Sequence, residues 1–425
     1  MWLLDKMLRA LIRESCLVVT DHDGTVYTYG DPADPDPVRI RFTDKGAALH
    51  VARDPRVGAG EAYMEGRLVV EPPHDIRDMV LLVMRNANRG AKNGGGMGAP
   101  NPLRRAVDWL AFKADQVNLR AKASRNVVHH YDLTRPFYEL FLDEDRQYTM
   151  AYFTDPANSL ERAQVDKKAL IAAKLRLQPG MRVLDIGCGW GGFALSLNKW
   201  FGVEVLGVSL APDQIKFAQE RAEAAGVADK VQFRLTDYRD VSETFDRITS
   251  VGMIEHVGAA HFREYFAKTH DLLADDGIML THTIGRTNGP GTTDKWTRKY
   301  IFPGGYIPAM SELVTALEAT GWEIGDVEVL RYHYAYTLAE WYRRTTMHEA
   351  EITALYDARL FRMWQFYLAG AEQSFRSGGM VNFHIQSVKN RSALAMTRDY
   401  IQTEFARLSA AEQAPGWHLD RDAAE

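Results

Sequence analysis

The residues with the clearest potential for chemistry form a loop near the middle of the chain. Val183-Leu-Asp-Ile-Gly-Cys-Gly-Trp-Gly-Gly192 begins as an apolar strand that carries Asp185, and it continues through Gly187, Gly189 and Gly191. Glycine lets the backbone approach a ligand at positions where a Cβ atom would collide with it. This segment is therefore a candidate ligand-binding loop between a strand and a helix.

Two kinds of ligand are bound by loops of this type. A dinucleotide site follows the spacing G-x-G-x-x-G, which this segment does not keep, and its acid lies inside the strand. Gly187-Cys-Gly-Trp-Gly191 suits a nucleoside-sized ligand better than a pyrophosphate. The pattern favours the D-x-G-x-G loop that is typical of S-adenosylmethionine (SAM) methyltransferases over a dinucleotide site.

The next two strands end in side chains that could complete such a site. The second ends at Ser209 and Leu210, where many SAM enzymes carry an acid that holds the ribose hydroxyls, and Gln214 follows just inside the next helix. The third ends at Asp237 and Tyr238, a carboxylate beside an aromatic ring that could bracket an adenine. For Asp237 the alternative is helix capping.

A sheet must position these side chains. From Met181 onward, apolar segments alternate with helical ones, and the segments MRVLDIG, VEVLGVSL, KVQFRL, DRITSVGM and GIMLTHTIG are predicted to be buried strands. Buried strands that alternate with helices indicate a parallel sheet covered on both faces. The pattern therefore predicts the α/β class.

Further motifs lie on both sides of the loop in the sequence. They are Gln147-Tyr-Thr-Met-Ala-Tyr-Phe153, Val251-Gly-Met-Ile-Glu-His-Val-Gly258, His282-Thr-Ile-Gly285, Lys299-Tyr-Ile-Phe-Pro-Gly-Gly305 and His333-Tyr-Ala335. With these motifs in this order, the chain resembles the cyclopropane fatty-acyl-phospholipid synthase family, which includes the mycolic acid cyclopropane synthases. The resemblance implies a Rossmann-like methyltransferase domain with a mainly parallel seven-stranded sheet and helical insertions.

The resemblance also implies a reaction. SAM would donate a methyl group to the cis double bond of an unsaturated acyl chain in a membrane phospholipid, and proton loss would close a cyclopropane ring. Tyr148 and Thr149 would join Asp185, Gly187 and Gly189 around SAM. The phospholipid would lie in the inner leaflet of the membrane.

In the family, the base is a bound bicarbonate, and motif matching assigns its ligands here. They are the side chains of Glu255, His282 and Tyr334 and the backbone amide of Ile284. The family's cysteine ligand is replaced by Met150, whose thioether cannot donate a hydrogen bond to an anion. We therefore expect weaker or altered bicarbonate binding, and a methyl-branched or methylene product is the alternative to cyclopropane.

Composition bears on the other function classes. The 425 residues include 51 basic and 56 acidic side chains, which gives a net charge of −5 and argues against a nucleic-acid partner. A lipid-binding protein without catalysis is a second alternative, favoured only by Met150. No metal site is predicted.

The cysteine content and the apolar segments predict where in the cell the protein is located. With Cys16 and Cys188 alone, the chain is expected in the reducing cytoplasm. The apolar face of the first helix, at Leu4, Met7, Leu8 and Leu11, is expected to pack on its own domain or to rest on a membrane. Residues 103–135 have a basic excess that suits an anionic membrane surface, so peripheral association is predicted. The family resemblance implies a homodimer.

The predicted domain order has four parts. Residues 1–87 form a small α+β domain with strands at Cys16–Thr20, Val26–Tyr29 and Val38–Phe42, and its GEAYMEG segment resembles the lipid-binding domain of bacterial phospholipid enzymes. Residues 88–102, rich in glycine and proline, are a flexible linker. The catalytic domain spans 103–400, and 401–425 form a tail.

Overall fold

A computed structural model describes residues 1–92 and 133–411 of the chain. These residues fall into two compact units. The first contains residues 1–92, Thr293–Pro303 and Leu338–Met380, and the second contains the remaining described residues. The basic segment at residues 103–135 lies largely outside the described residues.

Helices and strands alternate along most of the chain. The helices are α1 (Trp2–Leu11), α2 (Ala47–Arg53), α3 (Pro55–Met64), α4 (Ile76–Lys92), α5 (Arg135–Glu139), α6 (Leu160–Leu175), α7 (Gly192–Phe201), α8 (Pro212–Ala224), α9 (Phe262–Leu272), α10 (Lys295–Tyr300), α11 (Met310–Glu318), α12 (His333–Met347), α13 (Glu349–Leu355), α14 (Ala358–Arg376) and α15 (Asp399–Ala411). The strands are β1 (Cys16–Thr20), β2 (Val26–Gly30), β3 (Val38–Phe42), β4 (Leu68–Val70), β5 (Arg182–Ile186), β6 (Glu204–Ser209), β7 (Val231–Leu235), β8 (Phe245–Val251), β9 (Leu273–Arg286), β10 (Glu323–Leu330) and β11 (Met380–Val388). Among the described residues, no helix combines the length and apolar composition needed to cross a bilayer.

The first unit is built on a small mixed sheet. Its strand order is β2-β1-β3-β4, with β1 antiparallel to β2 and parallel to β3. Val38, Ile40 and Phe42 alternate inward along β3, because neighbouring side chains of a strand point to opposite faces. The predicted α+β character of the N-terminal region is confirmed.

Part of the later sequence also packs in this first unit. Helix α14 lies against α3 and α4, where Arg77 Nε donates to the fully buried Glu372 at 2.5 Å. The sequence analysis assigned α14 to the catalytic stretch 103–400. The domain boundaries, including the lipid-binding role of residues 1–87, remain predictions.

Two predicted boundaries differ from the described helices. Helix α4 continues to Lys92, so residues 88–92 of the predicted linker are helical, while 93–102 lie outside the described residues. The predicted tail is also helical as far as Ala411. Ile401 and Leu408, seven residues apart, share one face of α15, and both are buried as α15 packs on α6. This burial stabilises a helix where an unpacked tail was predicted.

The second unit contains a sheet of seven described strands in the order β10-β11-β9-β8-β5-β6-β7. Strands β5 to β9 pair in parallel, and β10 is antiparallel to β11. The five strands predicted after Met181 are all present. This sheet and its helices confirm the Rossmann-like fold predicted from the sequence.

Candidate active site

The carboxyl ends of the central strands bring the predicted residues to one edge of the sheet. Ile186 pairs with Ser250, and Val251 pairs with His282. The glycine loop, the segment after β8 and the end of β9 are therefore neighbours. Ligands of parallel α/β sheets bind at this edge.

The glycine loop needs glycine for its backbone conformation and leaves space beside it. Gly187 and Gly189 have φ angles of 81° and 55°, in the left-handed region. A Cβ atom on Gly187 would meet the side chain of Met253 at 3.2 Å, whereas one on Gly189 would meet no atom within 4 Å. The open space beside Gly189 fits a ligand that approaches the backbone closely.

Asp185 lies under this loop inside β5. It is 3% exposed, and burial raises the pKa of its carboxyl to about 7, while the positive charge of Lys167 opposes the shift. Lys167 is itself buried, and its ammonium donates to the Thr149 hydroxyl at 2.8 Å and to the side chain of Gln147. Sequence reasoning missed Lys167, although its place in a helix that begins soon after the Gln147 motif was a usable signal.

The Gln147–Phe153 segment lies beside the same edge. A Cβ atom on Gly252, directly after β8, would lie 2.9 Å from the Thr149 methyl group. The Tyr148 ring packs edge-on against Tyr138, with centroids 5.7 Å apart. The structure therefore brings Thr149 next to the loop after β8, as a cofactor-binding role requires.

Met150 is fully buried in this segment. The next residue, Ala151, donates its N–H to the Thr337 hydroxyl of α12 at 3.0 Å. Tyr334, one turn earlier on α12, is 7% exposed. The segment that carries Met150 and the helix that carries Tyr334 are thus joined by a direct hydrogen bond.

Glu255 is the acid nearest the end of β9. It lies in a short turn, Ile254–His256, and its Oε1 accepts the Ile284 N–H at 2.6 Å. Its Oε2 is buried without a hydrogen-bond partner among the described residues. Burial raises the pKa of Glu255 to about 7, against hydrogen bonds to the carboxyl from the Ile284 backbone and the Thr283 side chain. The amide of Ile284, predicted to hold an anion, is therefore engaged by Glu255 itself.

His282 faces strand β11. Its Nδ1 lies 2.8 Å from His384 Nε2, and its Nε2 lies 3.3 Å from the Asn382 amide nitrogen. Burial holds the pKa of His282 well below its usual range. Sequence reasoning missed His384 and Asn382, although the polar residues at 382, 384 and 386 mark one face of a strand.

The predicted residues on β6 and β7 have local partners. Asp237 accepts the Arg239 N–H at 3.0 Å and one guanidinium nitrogen of Arg239 at 2.6 Å, so it caps the turn that follows β7, which is the alternative named from the sequence. The Ser209 hydroxyl accepts the N–H of Ala211 at 3.2 Å. Roles for these residues in cofactor binding remain predictions.

The other residues at these strand ends are largely enclosed. Leu210 is partly exposed, Gln214 is 5% exposed, and the Tyr238 ring meets Tyr265 edge-on with centroids 5.3 Å apart. Within the glycine loop, Cys188 is buried, and a Cβ atom on Gly207 would lie 2.9 Å from its own. Burial raises the pKa of the Cys188 thiol well above its usual range.

Comparison with known proteins identifies this arrangement. A family profile described as mycolic acid cyclopropane synthetase matches residues 118–385. The chain is 37% identical over 344 residues to the cyclopropane-fatty-acyl-phospholipid synthase of Escherichia coli strain K12, covering 80% of this chain and 85% of that protein. It is 38% identical over 266 residues to a probable fatty acid methyltransferase of Pseudomonas putida, covering 61% of this chain and 67% of that protein.

A solved structure supports the same family assignment. The mycolic acid cyclopropane synthase CmaA1, complexed with SAH and CTAB, matches with a TM-score of 0.60 at 31% identity, covering 62% of this chain and 97% of that chain. The family profile alone covers more than half of the chain, and it includes the glycine loop, Glu255 and His282. This chain therefore belongs to the mycolic acid cyclopropane synthetase family.

Proposed function

We propose that this SAM-dependent methyltransferase transfers one carbon to the cis double bond of an unsaturated acyl chain in a membrane phospholipid, with cyclopropane as the default product. The observation that carries the proposal is the unpartnered, buried Oε2 of Glu255 at the same sheet edge as the open space beside Gly189. The named activity of the Escherichia coli relative and the SAH in the CmaA1 complex support the same reaction class.

The described residues fit SAM. The loop from Gly187 to Gly191 lets the backbone approach a nucleoside, and Asp185 lies beneath it with a raised pKa and a nearby cation. When bound, SAM supplies a methyl group on a positively charged sulfur. The task of this chain is to hold the alkene in line with that methyl and to exclude water, because an alkene is a weak nucleophile.

Glu255 is the proposed proton acceptor. Attack by the alkene forms a carbon–carbon bond as the carbon–sulfur bond breaks, and a cation is left on the lipid. Removal of a proton from the transferred methyl closes the ring. The ionised Oε2 of Glu255 takes that proton, because it is buried and its pKa lies near neutrality.

Bicarbonate fits these residues only in part. The Ile284 N–H donates to Glu255, and both ring nitrogens of His282 face side chains of β11, so Glu255 Oε2 is the one predicted bicarbonate contact without a partner among the described residues. No step of the proposed reaction is therefore assigned to bicarbonate.

A branched product is the second candidate. Met150 is buried where the family carries a cysteine, and loss of a different proton would leave a methyl-branched or methylene chain. Met150→Cys is expected to shift the product ratio toward cyclopropane, with Met150→Leu as a matched control that keeps the branched product. An unchanged ratio of cyclopropane to branched product in Met150→Cys would show that residue 150 does not determine which product forms.

The test of the main proposal is chemical analysis of lipids from cells that express the chain. Both products add one CH₂ unit, so mass spectrometry detects the reaction and proton NMR separates the outcomes. Upfield ring protons indicate cyclopropane, and vinylic protons or a new methyl doublet indicate branching. Absence of any CH₂ addition would reject the reaction, and calorimetric titration with SAM then separates an inactive enzyme from a lipid-binding protein.

We also propose peripheral association with the anionic inner leaflet. The predicted apolar face of α1 packs on its own unit, since Leu4 and Leu8 are buried, but Trp2 is 71% exposed and Lys6 lies 4.3 Å from the Trp2 ring centroid. Exposed aromatic and basic side chains on one helix suit a lipid interface. Trp2→Ser is expected to reduce co-sedimentation with anionic vesicles, whereas equal sedimentation would reject this role of α1. The homodimer that the resemblance implies is tested by light scattering.

A further inference from the structure

A line of titratable side chains leads away from His282 inside the second unit. His282 Nδ1 lies 2.8 Å from His384 Nε2, and His384 Nδ1 lies 3.2 Å from the Lys174 ammonium. Lys174 donates in turn to Glu328 Oε2 at 2.6 Å. The four groups come from β9, β11, α6 and β10, so they converge only in the folded chain.

The chemistry of the four groups gives this line a direction. An ammonium only donates hydrogen bonds, so the Nδ1 of His384 must accept from Lys174. A neutral imidazole carries one proton, which then lies on His384 Nε2 and is donated to His282 Nδ1. His282 is left with its proton on Nε2. The ammonium of Lys174 thus sets the tautomer of His282 from two residues away.

Burial makes this effect strong. His384 and Lys174 are fully buried and His282 is 1% exposed, so water does not compete for their hydrogen bonds. Burial also lowers the pKa of both imidazoles far below the usual value, so each is neutral and its tautomer is the state that varies. The side chain of Glu328, 24% exposed, lies on the wall of a cavity of about 340 Å³.

Asn382 supports the same tautomer. Its amide lies 3.3 Å from His282 Nε2, and its buried oxygen has no partner among the described residues. A protonated Nε2 needs an acceptor, and an amide can present its oxygen by a half-turn. In the Nε2–H tautomer this pairing satisfies both groups.

We propose that Lys174 and His384 are positioning residues that fix His282 in the Nε2–H tautomer, which makes it a hydrogen-bond donor at the end of β9, with the Asn382 oxygen as its partner in the folded chain. This inference rests on the proposed function only for the expectation, implied by the family resemblance, that His282 belongs to the active site. The tautomer itself is a property of the folded protein and is measured without substrate.

The first experiment is nitrogen NMR of the full chain labelled with ¹⁵N-histidine, with His282 assigned by the His282→Asn variant. The expected spectrum has His282 protonated on Nε2. In the double variant Lys174→Met/Glu328→Gln, which leaves no unpaired carboxylate, the spectrum is expected to show a mixture of tautomers. A wild-type His282 protonated on Nδ1, or no change in the double variant, would overturn the proposal.

The second experiment compares two substitutions of His384. Glutamine can accept from Lys174 through its oxygen and donate to His282 through its NH₂, whereas leucine can do neither. His384→Leu is expected to lower kcat about 10- to 100-fold, with the KM for SAM unchanged, and His384→Gln to retain activity within about threefold. The control for loss of a histidine elsewhere is His270→Leu, because the His270 ring packs edge-on against Trp322.

Equal losses in His384→Leu and His384→Gln would overturn the proposal, because the line of hydrogen bonds would then be irrelevant. If His384→Leu fails to fold, judged by circular dichroism, the NMR comparison still decides. Failure of the proposed function is recognised separately, since the wild-type chain would then add no CH₂ to lipid whatever the tautomer of His282.

Discussion

The ends of β7 and β8 both carry an acid, but the two acids have opposite surroundings. Asp237, after β7, accepts hydrogen bonds from the backbone and guanidinium of Arg239. Glu255, after β8, uses one oxygen for the Ile284 N–H and leaves the other buried and unpartnered among the described residues. The sequence analysis placed both acids in the site.

This difference distinguishes an acid that stabilises a turn from an acid that is available for the reaction. A carboxylate whose oxygens are satisfied locally stabilises a turn, and little of its hydrogen-bonding capacity is left for a ligand. A buried oxygen without a protein partner is costly, so it is satisfied by water or a ligand or serves in function. We therefore expect substitutions at Glu255 to affect turnover far more than those at Asp237.

The largest effect is expected at Glu255. Glu255→Gln should lower kcat about 10²- to 10⁴-fold, because an amide cannot accept the proton, while calorimetry should show SAM affinity close to wild type. His282→Ala should also abolish turnover without loss of SAM binding, because it removes the proposed hydrogen-bond donor from β9, the strand whose Ile284 N–H donates to Glu255. Glu264→Gln, in which an exposed acid is changed, is the control. Full activity in Glu255→Gln or His282→Ala would show that the substituted side chain is not needed for turnover. The proposed contrast between Glu255 and Asp237 would then fail.

The second-largest effect of a substitution is expected at Asp185. Asp185→Ala should weaken SAM binding about 10- to 100-fold, because a carboxylate hydrogen bond to a ligand contributes roughly 1.5–3 kcal/mol. Asp246→Ala is the control, since Asp246 accepts the Arg182 N–H at the opposite end of β5. Isothermal titration measures both. Unchanged affinity in Asp185→Ala would place the cofactor elsewhere along the edge.

The pH dependence of kcat/KM is a further test of the contrast between Glu255 and Asp237. The folded pKa of Glu255 is raised from 4.5 to about 7, so its carboxyl is protonated below that pH and ionised above it. If ionised Glu255 takes the proton, kcat/KM for the lipid should rise through pH 7 and fall to about a tenth of its plateau at pH 6. A flat profile between pH 6 and 8 would contradict this assignment.

The smallest effect is expected at Asp237. Asp237→Asn removes an ion pair with Arg239 but keeps an oxygen for the turn, so SAM affinity should change by less than about threefold. Calorimetry again provides the measurement. A tenfold loss would show that Asp237 serves the cofactor as well as the turn, and the contrast with Glu255 would disappear.

Local patterns predicted much of this molecule. Alternating apolar segments located β5 to β9 but not β10 and β11, and glycine spacing located the loop, because both signals depend on neighbours in sequence. The partners of His282 depend on residues about a hundred positions away, and no local pattern fixes which strand lies beside β9. The helix at Asp399–Ala411 was missed for the same reason, since it is stabilised by packing on α6.

The placement of sulfur in this chain has a practical consequence. Both thiols, Cys16 and Cys188, are buried, and burial raises the pKa of each. The buried sulfur of Met150 is a thioether, which does not form a thiolate. Maleimides and other alkylating reagents need an accessible thiolate. They should therefore react slowly with the folded chain, and fast labelling of either thiol would report unfolding.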